Sequence, residues 1–328
     1  MLGDEIREKI GSLIEPRLKW RIDELNLIKE ITLAENKIFI RIELIEDCPE
    51  KKAQFKESIM AALEPFGLNQ VNVRIDHIDV AANSLKHIDR IFLVASGKGG
   101  VGKSTVAVNV AAALNRRGHR VGILDADIYG PSIPLLLGAH AAPQVLDQEV
   151  LMPVLAHGMK LISMGNLIPR EHAVAWRSQL VNGTVLQFLR KVNWGKLDFL
   201  IVDLPPGAGD IQLTISKEIK PHGVIIVSTP QIVAREDVVR CINMFENLKL
   251  PITGLVENMV SWTCKKCGHE DAIFTGVDDQ WHNLEKLAAL PLRQNIWDSS
   301  EKGIPCYDET QDPAMKNAFD RIADALEK

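Results

Sequence analysis

Residues 91–105 read Ile91-Phe92-Leu93-Val94-Ala95-Ser96-Gly97-Lys98-Gly99-Gly100-Val101-Gly102-Lys103-Ser104-Thr105. An apolar run of strand length leads into a match to G-x-x-x-x-G-K-[ST]. A helical pattern follows from about Lys103 to Arg117 and stops at Gly118, a normal C-terminal glycine. Strand, glycine-rich loop and helix is the context in which this pattern binds nucleotide phosphates. Gly97, Gly99, Gly100 and Gly102, with Val101 among them, let successive backbone N–H groups converge on phosphate oxygens, and the helix N-terminus adds a favourable dipole. Lys103 is then expected to neutralise the β- and γ-phosphates of ATP and the Ser104 hydroxyl to ligate Mg2+, with Thr105 completing the loop.

Outward from this loop the same texture recurs. The short apolar runs are IFLVAS (91–96), VGILD (121–125), KLISM (160–164), DFLIVD (198–203), GVIIVST (223–229) and ITGLVEN (252–258), most of them separated by helical patterns. Strands that are apolar throughout and alternate with helices indicate a sheet buried on both faces. The expected fold is therefore α/β, a doubly wound and mostly parallel sheet, with ligands at the carboxyl ends of its strands. Two of those ends carry acids, Asp125 and Asp127 in LDADIYGPS and Asp203 in VDLPPGAGD. Beside a phosphate loop, Asp127 suits the positioning of an attacking water, and Asp125 and Asp203 suit the outer shell of the metal. No internal repeat is visible.

Residues 1–76 read as a separate small α+β unit in the order α-β-β-α-β. A helix is expected from about Asp4 to Lys19. Strands are expected at Asn26–Leu33 and Lys37–Leu44 across an Ala34-Glu35-Asn36 turn, then a helix over Glu50–Leu63 and a strand over Val71–Ile75. The second strand alternates Ile38, Ile40, Ile42 and Leu44, the period of a half-buried sheet. Residues 77–89 lack periodicity and read as a linker, which leaves 90–328 for the P-loop domain.

Composition narrows the function classes. The 328 residues are 46% hydrophobic and 25% charged, ordinary for a globular chain. The net charge of −5 and a pI near 6.0 provide no chain-wide cationic footprint for nucleic acid. The first 80 residues hold 12 basic and 16 acidic side chains, most of the acidic excess. No apolar run approaches the roughly 18 residues of a membrane span. The N-terminus lacks the basic-then-apolar order of a secretory signal. An odd set of five cysteines is no disulfide framework, so a reducing cytoplasm is expected.

One cysteine pair stands apart. Cys264-Lys265-Lys266-Cys267 has C-x-x-C spacing, which lets two thiolates bind one metal centre. A tetrathiolate within one chain needs a second such pair, and the sequence has none. Either another subunit completes the site or the motif is redox-active. The polar flanks Thr263 and Gly268-His269-Glu270-Asp271 favour a metal knuckle, with His269 read as a solvated loop residue rather than a third ligand. Cys241, in VVRCINMF, reads as buried core, and Cys306, in GIPCYDE, as structural. Cys48 precedes a helix N-terminus, a place that can lower a thiol pKa, and is a candidate for a functional role.

Lys98 adds to the plain motif. A second lysine early in the loop resembles the deviant Walker A class, which includes chromosome-partitioning, septum-placing and arsenite-pump ATPases and the nitrogenase iron protein. The resemblance implies that Lys98 reaches the phosphates of nucleotide bound by a partner subunit. SGKGGVGKSTVAVNVA, LDADIYGPSIP, VDLPPGAGD, STPQIVA, the INMF helix and ENM followed by CxxCG together resemble the Mrp/ApbC family of P-loop ATPases that carry iron–sulfur clusters. The likeness covers about residues 88–328, and residues 1–76 resemble the small MIP18-like domain that often precedes this ATPase in bacteria. Cys48-Pro49 falls where that domain often has cysteine followed by proline.

The likeness implies a homodimer with a [4Fe–4S] cluster between Cys264 and Cys267 of both subunits. It also implies Asn258 at the adenine, slow ATP hydrolysis, and delivery of the cluster to apo iron–sulfur proteins in exchange with assembly scaffolds. Two departures stand out. Trp176-Arg177-Ser178-Gln179-Leu180 stands where the family often has WRGPM, so what the family implies about the inter-subunit surface around Arg177 does not carry over to this chain. PPGAGD replaces PPGTGD, so Ala208 removes a hydroxyl near Mg2+ and is expected to slow hydrolysis.

Two other functions use part of the same pattern. A spatial-positioning ATPase of the MinD/ParA kind needs a basic or amphipathic tail. The last helical stretch, PAMKNAFDRIADALEK, has no net charge, and its face of Met315, Ala318, Phe319, Ile322 and Leu326 reads as core. A zinc-clamped dimeric binding module, regulated by nucleotide, would use the cysteines without iron. No nucleic-acid or membrane partner is expected.

Overall fold

Alternation in Lys37–Leu44 buries Ile38, Ile40, Ile42 and Leu44 on one face of a small sheet. The structure, a computed structural model, describes residues 2–16, 21–23, 27–34, 37–44, 48–77, 84–128, 130–146, 150–166, 189–264, 266–274 and 284–328. Its contacts divide the chain into two units, Met1–Ala82 and Asn83–Lys328.

The first unit runs α1 (Leu2–Gly11), β1 (Ile28–Ala34), β2 (Lys37–Leu44), α2 (Pro49–Leu63) and β3 (Gln70–His77). β1 pairs antiparallel with β2, and β3 pairs parallel with it. Ile6 and Ile10 of α1, with Phe55, Ile59 and Leu63 of α2, are buried with the isoleucine face of β2. The first helix stops at Gly11, short of the expected Lys19. Glycine weakens the helix there, and the chain turns back so that the Ile22 N–H donates to the Leu13 carbonyl. Residues 17–19 of the expected helix and the tip of the hairpin at 35–36 lie outside the described residues.

The second unit is built on β4 (Ile88–Ala95), β5 (Val121–Asp125), β6 (Gln144–Leu146), β7 (Val150–Met152), β8 (Val154–Ala156), β9 (Met159–Ser163), β10 (Leu197–Asp203), β11 (Gly223–Ser228), β12 (Ile252–Thr263), β13 (Glu270–Ala272) and β14 (Lys286–Leu292). Among the described residues the large sheet has the order β13-β12-β11-β4-β10-β5-β9-β8, with β14 also on β12. From β9 through β5, β10, β4, β11 and β12 to β14 all neighbours are parallel, and β8 and β13 add antiparallel edges.

Both faces of this sheet are covered. Phe92, Val94, Ile123 and Ile201 pack with α3 (Lys103–Arg116) and the last helix, Pro313–Glu327. Leu93, Leu200 and Ile226 pack with Ile215, Cys241 and Phe245 from helices Asp210–Ile219 and Ile232–Asn247. The last helix buries Met315, Ala318, Phe319, Ile322 and Leu326, so its apolar face serves the core. β6 to β8, β13 and β14 add to the strands legible in the sequence: β6 to β8 and β13 are three residues each, too short for a period to register, and Pro291 interrupts the apolar pattern of β14. No helix of the described residues is long and apolar enough to cross a membrane.

Candidate functional site

β4 ends at the middle of the sheet, and the chain leaves it through Ser96 into the glycine loop. Two glycines have no substitute there. Gly97 lies against the Asp237–Val238 backbone, which a Cβ would meet at 2.3 Å. Gly102 has φ +85°, and a Cβ would stand 2.2 Å from the Asn258 amide nitrogen. The loop therefore closes tightly on the start of α3, whose first turn presents Lys103, Ser104 and Thr105. Such convergence of N–H groups on a helix N-terminus is chemistry for a phosphate.

The strand ends bring the acids to the same place. The Lys103 ammonium lies 2.6 Å from Asp203 Oδ1, and Ser104 Oγ donates to Asp203 Oδ2 at 2.5 Å. Lys103 is 6% exposed and Asp203 fully buried. Burial pushes the Asp203 carboxyl up, and the Lys103 ammonium and Ser104 hydroxyl oppose that rise. An ion pair in a dry site survives because each charge compensates the other. A serine hydroxyl and a carboxylate are hard oxygen donors, a set that suits Mg2+ beside a nucleotide.

Asp125 ends β5, the other neighbour of β10. It accepts from Ser163 Oγ at 2.8 Å, from the Asp127 N–H at 3.2 Å and from the Ile133 N–H at 3.3 Å. Burial first, and the Asp203 charge second, push its carboxyl up to about 7. Asp127 is half-buried and accepts from the Gly130 N–H at 3.2 Å. Its charge also reaches Asp203. Lys98 is exposed on the loop, which is held by a Ser96 Oγ hydrogen bond to the Lys98 carbonyl.

The raised value of Asp125 has a consequence for stability. A carboxyl whose folded-state pKa lies above its unfolded value near 3.9 favours folding fully at low pH, and that contribution is lost as pH rises toward about 7. At about 1.4 kcal/mol for each tenfold change in proton affinity, the loss is on the order of 4 kcal/mol. In nucleotide-free protein, Asp125→Asn is therefore expected to flatten the fall in stability between about pH 4 and pH 7. Urea melts at several pH values check this, and an unchanged slope contradicts it.

Asn258 lies on β12, buried against the loop. Its Nδ2 donates to the Val101 carbonyl at 2.8 Å, and its Oδ1 accepts from the Met259 N–H at 3.0 Å. The side chain thus contacts the P-loop backbone itself. β12 continues to Thr263 and delivers Cys264 and Cys267 at its end. The Gly268 N–H donates to the Cys264 carbonyl and the Cys264 N–H to the His269 carbonyl, both at 2.8 Å. This is a tight knuckle with one half-buried and one exposed thiol.

Hydrogen bonds from the Cys267 backbone N–H first, then from Lys266 and the Cys267 thiol, hold the Cys264 thiol below its usual value. That favours the thiolate, the form that binds metal. Among the described residues no three His, Cys, Asp or Glu side chains gather for a metal, and His269 pairs instead with Asp271 at 3.0 Å.

The remaining cysteines separate by environment. Burial pushes Cys241 up to about 12 and raises Cys306, as inert core thiols require. Cys48 stands at the N-cap of α2 and makes no side-chain cap bond. The segment 176–180 with Arg177 lies outside the described residues. Two positioning residues escaped the sequence reading. Ser163 holds Asp125, and buried Gln212 fixes the loop after β10, donating to the Pro205 carbonyl at 2.5 Å and accepting from the Gly209 N–H at 3.0 Å. Gln212 gives no sequence signal, because Gly209 at the N-cap lacks the side chain of a capping box and only the half made by Gln212 forms.

The geometry can be set beside known proteins. The ParA-group profile describing NUBPL iron-transfer P-loop NTPases matches residues 87–327. The iron-sulfur cluster carrier protein of Haemophilus influenzae is 36% identical over 339 residues, covering 98% of this chain and 90% of its own length. That of Escherichia coli K12 is 34% identical over 330 residues, covering 97% and 89%. Among solved structures, a nucleotide-binding protein from Archaeoglobus fulgidus in complex with ADP is 37% identical. It covers 69% of this chain and 91% of its own, with a TM-score of 0.60. Because the profile spans nearly the whole P-loop unit and full-length relatives align across almost the entire chain, the protein belongs to the NUBPL iron-transfer family of P-loop NTPases.

Proposed function

We propose that the protein is an ATP-dependent iron–sulfur cluster carrier that holds a [4Fe–4S] cluster between two copies of itself and hands it to apo-proteins. The observation that carries this reading is a single strand, β12, that touches the P-loop through Asn258 and ends on the C-x-x-C knuckle. Family membership supports nucleotide hydrolysis in general and the curated relatives support the cargo; ATP as the nucleotide and four irons as the cluster are the specific proposal.

In this account Gly97 to Thr105 bind the phosphates, with Lys103 exchanging its bond to Asp203 for the β- and γ-phosphates. Ser104 ligates Mg2+, Asp125 and Asp203 hold the outer shell, and Asp127 positions the attacking water. Exposed Lys98 reaches the partner's nucleotide, and Asn258 takes the adenine contact that the family resemblance implies. Each chain gives two thiolates, so a second copy completes the set of four. Trp262, 45% exposed, and exposed Leu292 stand paired beside the knuckle and offer apolar surface for that second copy.

The MIP18-like domain takes residues 1–76 together with His77 at the end of β3, and the ATPase domain takes 90–328 together with Ile88 and Asp89 at the start of β4. The carrier works in the cytoplasm, receives clusters from an assembly scaffold, and uses neither membrane nor nucleic acid as a partner.

Transfer tests the function directly. Protein reconstituted anaerobically with iron and sulfide should turn brown with broad visible absorbance, and should pass that chromophore to an apo four-iron protein. The rate should depend on Mg·ATP. A protein that binds stable zinc and no iron, or a transfer rate indifferent to nucleotide, contradicts the proposal.

A further inference from the structure

We propose that Asn258 and Met259 form a hinge through which the nucleotide state of the P-loop sets the conformation of the Cys264–Cys267 knuckle. The inference rests on the functional reading above and adds the route between its two sites. Asn258 ties two backbones together, accepting from the Met259 N–H while donating to the carbonyl of Val101, a residue of the loop itself. Its amide nitrogen also occupies the space a side chain at residue 102 would need.

The next residue is strained. Met259 has φ +58°, a left-handed conformation that non-glycine residues seldom adopt. The other non-glycine residues with positive φ among the described residues, His157, Lys220 and Lys249, lie outside strands and helices, whereas Met259 lies within β12. The pairing slips at the same point. Asn258 stands opposite Leu290 and Trp262 opposite Leu292, so β12 spends four residues where β14 spends two. On the other edge of β12 the Val260 carbonyl accepts from the Ile273 N–H and Ser261 to Thr263 pair with β13, and the strand leads directly into Cys264.

These features make a two-position element. Re-forming the loop around a phosphate moves the Val101 carbonyl, which is the acceptor that holds Asn258. Once Asn258 moves, the Met259 N–H loses the Asn258 Oδ1 acceptor beside it, and the residue relaxes toward the extended region. In a strand of period two, such a change re-registers the residues beyond it. The knuckle lies roughly 15–20 Å along the chain from Asn258 and is the end that moves. Strain held by a specific contact at a functional site is the form such a switch takes.

The test uses full-length, cluster-free protein. Alkylation rates of Cys264 and Cys267 by iodoacetamide, resolved by peptide mass, are compared with and without Mg·ADP. ADP affinity is measured on the same samples with a fluorescent analogue. In the wild type, ADP should change the knuckle rates by about fivefold or more. Met259→Ala keeps a β-carbon and hence the strain, and should retain this response. Met259→Gly holds the left-handed conformation freely. It should bind ADP as the wild type does, with rates that no longer respond.

A wild type that binds ADP without any change at the cysteines overturns the hinge, as does a Met259→Gly protein that responds normally. Loss of the response in both variants assigns it to the methionine side chain and also overturns the proposal. Absence of ADP binding in the wild type removes the nucleotide reading first and the hinge with it.

Discussion

Lys103→Ala is expected to lower nucleotide affinity by about ten- to a hundredfold, because a hydrogen bond between a charged side chain and phosphate contributes about 1.5–3 kcal/mol. The substitution has a second effect that a surface lysine would not. It leaves Asp203 buried with its ammonium partner gone and Asp125 nearby. Breaking a buried pair from one side costs about 3–5 kcal/mol when the survivor stays charged. Asp203 is therefore expected to take up a proton in the variant. Isothermal calorimetry with ADP and a urea melt separate the two effects. A variant that hydrolyses ATP at the wild-type rate contradicts the assignment of the loop.

Cys264→Ser and Cys267→Ser are each expected to abolish the visible chromophore of the reconstituted protein. An alkoxide-forming serine is a hard donor and a poor substitute for a thiolate on iron–sulfur centres. With two cysteines per chain, each substitution removes two of the four ligands of a shared cluster. Cys241→Ser and Cys306→Ser are expected to keep the chromophore. Cys241→Ser places a hydroxyl in an apolar core and lowers stability by about 1–3 kcal/mol without touching the metal site. Absorption spectra of the four variants, each checked for folding by circular dichroism, decide the matter. Colour retained in either knuckle variant removes the pair from the cluster.

Much of this was written in local sequence. The apolar runs of β4, β5, β10 and β11 announce strands buried on both faces, and the structure extends the run of β12 to Thr263. The P-loop, the acids Asp125 and Asp203 at strand ends, and the C-x-x-C knuckle are contiguous patterns whose chemistry follows from their spacing. The resemblance to the Mrp/ApbC family rests on the same stretches.

What escaped depends on contacts between distant segments. Ser163 meets Asp125 only because β9 lies beside β5, and no pattern around KLISM marks it. Asn258 reaches Val101 across 157 positions, so its hold on the loop is invisible along the chain. Met259 gives no sign of its left-handed backbone, since methionine has no preference for it and the neighbours impose it. The early stop of α1 at Gly11 reflects the chain folding back on itself through Ile22, a tertiary effect that overrode the helical period.

If two copies share one four-iron cluster, each chain carries half of its iron. Protein reconstituted anaerobically, freed of loose iron by gel filtration and shown to be a dimer by light scattering, should contain about two irons and two sulfides per chain. Four irons per chain, or a loaded protein that remains monomeric, would place the whole cluster within one subunit and contradict the account.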